Sequence, residues 1–191
     1  MVKNHSKLIR TLLENQDKEL NILDLSRYSK IDYKNVYNII KDLEKEGLVE
    51  TNVFGKTKRV ILNKKVHPLI FEAEYERRKY LLKNKDFLVL QKKLSSLEFP
   101  FIALLFGSYA KGNQTKHSDI DILIICEEKR ENQMQEVLDF FPLKIHPTIV
   151  NFEDFIKMLK TKEFNVAIEA VKNNIILIGI EDYYRLLENV K

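Results

Sequence analysis

Two acidic residues, Asp119 and Asp121, stand one residue apart at the start of an apolar segment that ends at Ile125. Side chains on a β-strand alternate between faces, so the two carboxylates are predicted to point the same way and to lie side by side. Such a pair is costly unless a cation neutralises it. Carboxylate oxygens suit Mg²⁺, which fills its remaining positions with water and substrate phosphates. We therefore expect Asp119 and Asp121 to be catalytic residues and metal ligands.

A second polar motif, Gly107-Ser108, directly follows the apolar run from Phe101 to Phe106. The glycine permits a tight turn, and Ser108 is expected to cap a short helix that begins near Tyr109. A helix N-terminus of this kind binds anions. With the two apolar runs on neighbouring strands, a nucleoside triphosphate would lie with its phosphates at Gly107-Ser108 and its metal ion at the two aspartates.

The motif Phe106-Gly107-Ser108, then Gly112, then Ser118-Asp119-Ile120-Asp121-Ile122 resembles the signature of the DNA polymerase β-like nucleotidyltransferases, particularly their small prokaryotic members. The resemblance implies an α/β catalytic core that binds a Mg²⁺-bound nucleoside triphosphate such as ATP. It also implies transfer of a nucleoside monophosphate to an acceptor hydroxyl. The residues expected to bind the nucleotide are Gly107, Ser108, Lys111, Lys116 and Ser118.

The segment from Leu143 to Val150, where that family places its third acidic residue, contains no acid. His146 and Thr148 occupy the expected inward-facing positions, and Pro147 indicates an edge strand. A neutral imidazole can act as a general base but adds no negative charge for a second metal ion. Two functions therefore remain open: a Mg²⁺-dependent nucleotidyltransferase with slow transfer, and a catalytically weak, nucleotide-binding transcriptional regulator.

The N-terminal third of the chain has apolar residues at helical spacing, followed by two short β-type segments. Asn21 and Asp32 are expected to cap the second and third helices, and Gly47 to end the third. The predicted elements are helices at about 5–14, 22–28 and 33–46, and strands at 48–52 and 59–63 joined by a hairpin with Gly55 at its tip.

Three helices followed by a hairpin resemble a winged helix-turn-helix domain over about residues 5–63. The resemblance implies that the third helix lies in the major groove of duplex DNA. A role in protein contacts or dimerisation is the alternative. The residues expected to bind DNA are Tyr33, Lys34, Asn35, Tyr37 and Asn38 on the helix, and Lys56, Lys58 and Arg59 on the hairpin.

Charge is distributed unevenly along the chain. Residues 1–96 contain 21 Lys and Arg against 13 Asp and Glu, a net +8, whereas residues 97–191 contain 11 against 15, a net −4. A basic first half suits an anionic partner such as nucleic acid, although lysine-rich surfaces also serve solubility alone.

The expected fold class is α+β, with a winged helix domain followed by a nucleotidyltransferase core whose mixed sheet is flanked by helices. The connector helices, at about 69–83 and 86–96, offer a surface for pairing with a second copy. Arg77-Arg78-Lys79 is expected on a solvated face, with an extension of the nucleic-acid footprint as the alternative. The remaining elements are a helix at 130–141, a strand at 143–150, helices at 152–160 and 164–172, a strand at 175–178 and a helix from Glu181. The predicted domains are a DNA-binding domain at 1–66, a helical connector at 67–96 and a nucleotidyltransferase domain at 97–191.

Other classes of protein are disfavoured by what the sequence lacks. The single cysteine, Cys126, excludes a disulfide framework, and the four histidines form no paired ligand motif. Neither G-x-x-x-x-G-K-[ST] nor G-x-G-x-x-G occurs. The absence of a signal peptide and of a membrane-spanning run predicts a cytoplasmic protein. Asn165, Glu169 and Lys172 are expected on an exposed helix face, with no assigned role.

Overall fold

The computed structural model describes residues 2–54, 57–161 and 163–190. The chain divides into two compact units, Met1–Glu76 and Arg77–Lys191. Among the described residues, no helix has the length and apolar character needed to cross a membrane.

The first unit begins with helices whose apolar residues recur every three or four positions, as predicted. Asn21 and Asp24 form a capping box at the start of the second helix, and the Asp32 carboxylate accepts a hydrogen bond from the Asn35 N–H at the start of the third. These helices are α1 (Val2–Glu14), α2 (Ile22–Ser29) and α3 (Tyr33–Lys45).

An antiparallel hairpin follows α3. Gly47 adopts a φ of +65°, and the Leu48 N–H donates to the Leu43 carbonyl, which ends the helix in the way expected of a C-terminal glycine. Strands β1 (Val49–Phe54) and β2 (Thr57–Leu62) then pair along their full length. The predicted hairpin is therefore present, while its predicted tip at Gly55 lies outside the described residues.

The predicted connector helices are also present, as α4 (Pro68–Leu81) and α5 (Lys85–Ser95). The expectation of a solvated face was wrong for Arg77, which is buried. Its Nη2 donates to the Asn174 carbonyl at 2.6 Å, and Arg78 Nη1 donates to the Leu177 carbonyl at 3.0 Å. The C-terminal end of α4 is thereby tied to the segment that forms the last strand of the second unit.

The second unit is built on a mixed sheet, as predicted. Within the described residues the sheet has four strands in the order β5-β4-β3-β6, with β4 and β5 parallel and the other neighbours antiparallel. Its edge strand β5 contains Pro147, which confirms the predicted edge position. The strands are β3 (Ile102–Leu105), β4 (Ile120–Ile125), β5 (Ile145–Val150) and β6 (Ile175–Ile178).

Helices cover both faces of this sheet. On one face, α5 and the helix after β4 contribute Phe87, Leu90, Leu94, Met134 and Leu138 to a core with Ile120, Ile122 and Ile124. On the other, the helix before β6 contacts β4, and the helix after β6 contacts β3. The remaining helices are α6 (Gly107–Lys111), α7 (Glu131–Asp139), α8 (Phe152–Lys160), α9 (Val166–Lys172) and α10 (Ile180–Glu188).

Candidate functional site

The turn after β3 is fixed directly against Asp121. The Phe106 N–H donates to the Asp121 carbonyl at 3.0 Å, which holds the two strands together where the chain leaves β3. Gly107 then adopts a φ of +66°, and a Cβ at this position would overlap Oδ2 of Asp121 and lie 3.1 Å from its Cγ. Glycine is therefore required here both by the backbone conformation and by the close approach of the carboxylate.

Ser108 does not cap α6, contrary to the sequence-based expectation. The N-cap is Phe106, in an extended conformation and without a side-chain hydrogen bond, and the helix begins at Gly107. Because the helix begins at Gly107, two residues earlier than expected, Ser108 lies inside the first turn and is half-buried. The helix ends at Gly112, which has a φ of +70°.

The two aspartates flank the core residue Ile120 and leave the other face of β4, in agreement with the alternation predicted from their spacing. Asp119 immediately precedes β4 and Asp121 is its second residue, while the intervening Ile120 is turned into the core. The side chains of Asp119 and Asp121 are 41% and 29% exposed, so both residues are partly accessible to solvent. The site thus consists of a partly exposed carboxylate pair with a glycine turn against one member.

The parallel register of β5 brings basic side chains to these carboxylates. His146 is opposite Asp121, and the Ile120 N–H donates to the Lys144 carbonyl at 2.8 Å. His146 Nδ1 lies 3.4 Å from Asp121 Oδ1, and Lys144 Nζ lies 2.6 Å from Asp119 Oδ1. The sequence predicted His146 near the site but gave Lys144 no role, because its position depends on strand register.

Thr148, the other predicted inward position, lies farther along β5. It is opposite Leu123, which is fully buried. Of the two positions considered for the missing acid, only that of His146 is opposite an aspartate.

The carboxylate pair fits a hard cation by its chemistry. Asp119 Oδ1 is shielded from solvent and lies 2.6 Å from Lys144 Nζ, so its counter-charge in the ligand-free chain is an ammonium group. Carboxylate oxygens are the ligand type that Mg²⁺ takes, so a metal ion could replace that ammonium group. Across the described residues, no cluster of three or more His, Cys, Asp and Glu side chains is arranged to hold a metal ion. A bound ion would therefore take most of its ligands from water and substrate.

The predicted nucleotide-binding side chains are distributed around this pair. Ser118 precedes Asp119, and its Oγ accepts a hydrogen bond from the Thr115 N–H at 2.9 Å. Lys111 Nζ lies 3.6 Å from Glu169 Oε1 on α9, so Glu169, which received no role from the sequence, neutralises part of the charge of Lys111. Lys116 is exposed on the loop before Ser118.

The exposed face of α3 in the first unit carries the side chains predicted to contact DNA. The positions Tyr33, Lys34, Asn35, Tyr37 and Asn38 are all exposed, while the apolar residues between and after them are buried. Lys41 joins this face with its Nζ 5.0 Å from the ring centroid of Tyr37. A hydrogen bond with Tyr37 raises the pKa of Lys41 above its ordinary value. Lys41 was not among the residues predicted for this face, although it is four residues after Tyr37 and therefore lies next to it on the helix.

The hairpin side chains predicted to contact DNA differ in exposure and in ion pairing. Lys58 is exposed, whereas Arg59 Nη1 is held by Glu19 Oε1 at 2.7 Å. Lys56 lies outside the described residues. Of the hairpin positions described, Lys58 is thus more open to an anion than Arg59.

Residues 89–182 match the model of the family described as Polymerase beta, Nucleotidyltransferase. The matched range contains the glycine turn, the aspartate pair and all four strands of the mixed sheet. The match supports a polymerase β-like nucleotidyltransferase core and a general nucleotidyltransferase function, which implies nucleotide substrates. No curated protein and no solved structure matched the chain.

Proposed function

We propose that the chain is a Mg²⁺-dependent nucleotidyltransferase that moves a nucleoside monophosphate from a nucleoside triphosphate to an acceptor hydroxyl, with its first unit binding duplex DNA. The observation that carries the proposal is the contact of the Gly107 turn with Asp121, beside Asp119. This contact joins a site for phosphate to a site for a cation.

Asp119 and Asp121 would hold the Mg²⁺ ion through their carboxylate oxygens. The ion would supply charge neutralisation for the triphosphate and for the leaving pyrophosphate. Ile120 and Ile122 fix the direction of the two aspartates because both are turned into the core of the sheet. The carboxylates are thereby held in place before substrate binds, which lowers the cost of reaching a reactive geometry.

The phosphates would lie along the turn formed by Gly107 and Ser108. Gly107 has no side chain, which lets the Asp121 carboxylate pack directly against the turn, so a phosphate bound at the turn would lie beside a metal ligand. Ser108 contributes a half-buried hydroxyl. Lys111 and Lys116 would offset phosphate charge, and Ser118, which accepts the Thr115 N–H, would shape the turn that leads to Asp119.

The acceptor side of the site favours slow transfer. The position opposite Asp121 is His146 rather than an acid, so no third carboxylate is available from β5 to draw in a second metal ion. The imidazole can take a proton from an attacking hydroxyl when its facing nitrogen is unprotonated. We expect measurable but slow turnover from this arrangement.

A second candidate function is a catalytically weak, nucleotide-binding transcriptional regulator. It is favoured by one observation, the presence of Lys144 and His146 against the two aspartates where an acid would serve catalysis. In this case the site would bind the metal-bound nucleotide, and this binding would change the affinity of the first unit for DNA.

The first unit is proposed to be a winged helix-turn-helix domain at residues 1–66. The exposed Lys34 and Lys41 would meet phosphates, while Asn38 is suited to read an adenine edge. We also propose that residues 67–96 serve as a helical connector through which two copies pair, and that residues 97–191 form the transferase domain.

Calorimetry of the full chain with ATP, with and without Mg²⁺, tests the transferase site. Changing both Asp119 and Asp121 to Asn keeps side-chain size and removes charge. The double variant is expected to lose the Mg²⁺-dependent part of ATP binding, and an unchanged Mg²⁺ dependence would exclude these residues as ligands. Incubation of the wild type with labelled nucleotide and candidate acceptors then separates the transferase from the regulator, because only the transferase forms a labelled product.

A further inference from the structure

We infer that Lys144 is a built-in counter-ion for Asp119, which keeps free divalent cations out of the site and lets the metal enter with the nucleotide. The inference rests on the proposed function, since it concerns the same carboxylates. It assigns a role to the residue that directly precedes β5, which the sequence motif does not include, and it makes a metal–nucleotide complex, rather than a free cation, the species that binds.

The position of Lys144 follows from strand pairing. Its carbonyl accepts the Ile120 N–H at 2.8 Å, which aligns Lys144 with the residue that precedes β4. Ile145 and Ile149 pack against the core. Because side chains alternate along a strand, those of Lys144 and His146 project from the opposite face. Lys144 is therefore directed to the aspartates by the register of two paired strands.

The contact occupies the same atom that a metal ion would need. Lys144 Nζ lies 2.6 Å from Asp119 Oδ1, an oxygen that is otherwise shielded from solvent. An ammonium group and a divalent cation at this oxygen would repel each other at contact distance. Binding of a free cation at Oδ1 therefore competes with the contact between Lys144 and Asp119.

A triphosphate changes this balance. It brings several negative charges to the turn at Gly107, so the released ammonium group gains an anionic partner when the metal ion takes its place on Asp119. The Lys144 side chain is 78% exposed and long, and it can move without disturbing the core. Metal and nucleotide should consequently bind with positive cooperativity, each removing a cost that the other would meet alone.

His146 is a weaker competitor than Lys144. Its Nδ1 is 3.4 Å from Asp121 Oδ1, and its ring is charged only when protonated. Lys144 Nζ lies closer to its carboxylate, at 2.6 Å from Asp119 Oδ1. Lys144 is therefore the stronger competitor of a cation for the carboxylate pair.

Binding of Mn²⁺ to the full chain without nucleotide tests the inference and needs no turnover. Lys144→Gln is expected to tighten Mn²⁺ binding about two- to fivefold, the range of an exposed ion pair, and Lys144→Met should act in the same direction. Adding Asp119→Asn to either variant should remove the gain. With a non-hydrolysable triphosphate present, the effect of Lys144→Gln should shrink or reverse, since the lysine then has a phosphate partner.

Lys129→Gln is the matched control. Lys129 Nζ lies 2.6 Å from Glu127 Oε2, its side chain is 70% exposed, and the pair follows the opposite end of β4. This variant removes the same charge from a similar ion pair and should leave Mn²⁺ affinity unchanged. Equal gains in the Lys129 and Lys144 variants would reduce the effect to net charge and overturn the inference.

Failure of the inference and failure of the proposed function are distinguishable. If Asp119→Asn and Asp121→Asn abolish metal–nucleotide binding but Lys144→Gln leaves Mn²⁺ affinity the same or weaker, only the role of Lys144 is wrong. If the aspartate variants leave metal–nucleotide binding intact, the proposed metal site is wrong and the inference falls with it.

Discussion

Gly107 and Asp121 are in such close contact that residue 107 has no room for a side chain. An added Cβ would overlap Oδ2 of Asp121 and lie 3.1 Å from Cγ and 3.3 Å from Cβ of that residue. The same glycine has a positive φ of +66°. The backbone of the turn and the Asp121 carboxylate are thus packed directly against each other, so a side chain added at residue 107 must move Asp121.

Gly107→Ala should consequently damage both stability and binding. The positive φ alone costs about 1–2 kcal/mol for a residue with a Cβ, and the collision with Asp121 adds to it. We expect the free energy of unfolding to fall by about 2–4 kcal/mol, as measured by urea denaturation. Mg²⁺-dependent ATP binding should be lost in calorimetry because Asp121 is displaced.

Gly112→Ala is a control for backbone strain. Gly112 has a φ of +70°, close to that of Gly107, but a Cβ there would meet nothing within 4 Å. Its unfolding free energy should fall by only about 1 kcal/mol, and ATP binding should persist. Equal loss of binding in the two variants would show that helix α6, rather than the contact with Asp121, governs the site.

The thiol of Cys126 should be inert in the folded protein. Burial raises the pKa of Cys126 above its ordinary value, with a further contribution from the carboxylates of Glu131 and Glu127. A raised pKa leaves less thiolate at pH 8, and the thiolate is the reactive form. Disulfide-exchange reagents should modify the native protein at least about tenfold more slowly than the urea-unfolded protein, monitored by absorbance. Rapid native-state modification would contradict the buried position at the end of β4.

The aspartate pair could be predicted from the sequence because its geometry is local. Alternation along one strand is enough to place Asp119 and Asp121 on one face, and a glycine between two apolar runs is enough to predict the turn. The helices and hairpin of the first unit were predicted for the same reason, since Asn21, Asp32 and Gly47 mark helix ends by their own chemistry.

The positions that could not be predicted from the sequence depend on contacts with residues far along the chain. Arg77 is buried because its guanidinium reaches the Asn174 carbonyl, 97 residues away, and no local pattern distinguishes it from Lys79. Lys144 acquires its position from the parallel register with β4. Ser108 was misplaced for a more local reason, because α6 begins at Gly107, which has a positive φ, two residues earlier in the chain than expected.

DNA binding by the first unit should depend on salt through the exposed lysines of α3. Each phosphate contact contributes about −0.9 to the slope of log K against log[salt]. Lys34→Ala should flatten the slope by about that amount in titrations of a labelled duplex with the full chain. Arg59→Ala should have a smaller effect, because Glu19 already holds Arg59 at 2.7 Å.

Two further measurements make the DNA prediction specific. Lys129→Ala removes a charge from the second unit and should leave the salt slope unchanged, which controls for net charge. Asn38→Ala should alter preference among duplex sequences with little change in slope, since an amide reads bases rather than phosphates. A full chain that shifts no duplex at low salt would favour the protein-contact alternative for this unit.

A carboxylate at the position opposite Asp121 should strengthen metal binding and speed transfer. His146→Asp would place a third carboxylate across from Asp121 on an exposed strand position, where the fold tolerates charge. Because the added oxygen is a hard ligand that the wild type lacks, Mg²⁺ affinity should rise about tenfold, and single-turnover transfer at saturating nucleotide should rise severalfold. Thr148→Asp is the matched comparison, since Thr148 is opposite the buried Leu123 and a carboxylate there should add no metal affinity. A wild type that transfers rapidly and is slowed by His146→Asp would show that the imidazole is the working group, and the regulator alternative would lose its main support.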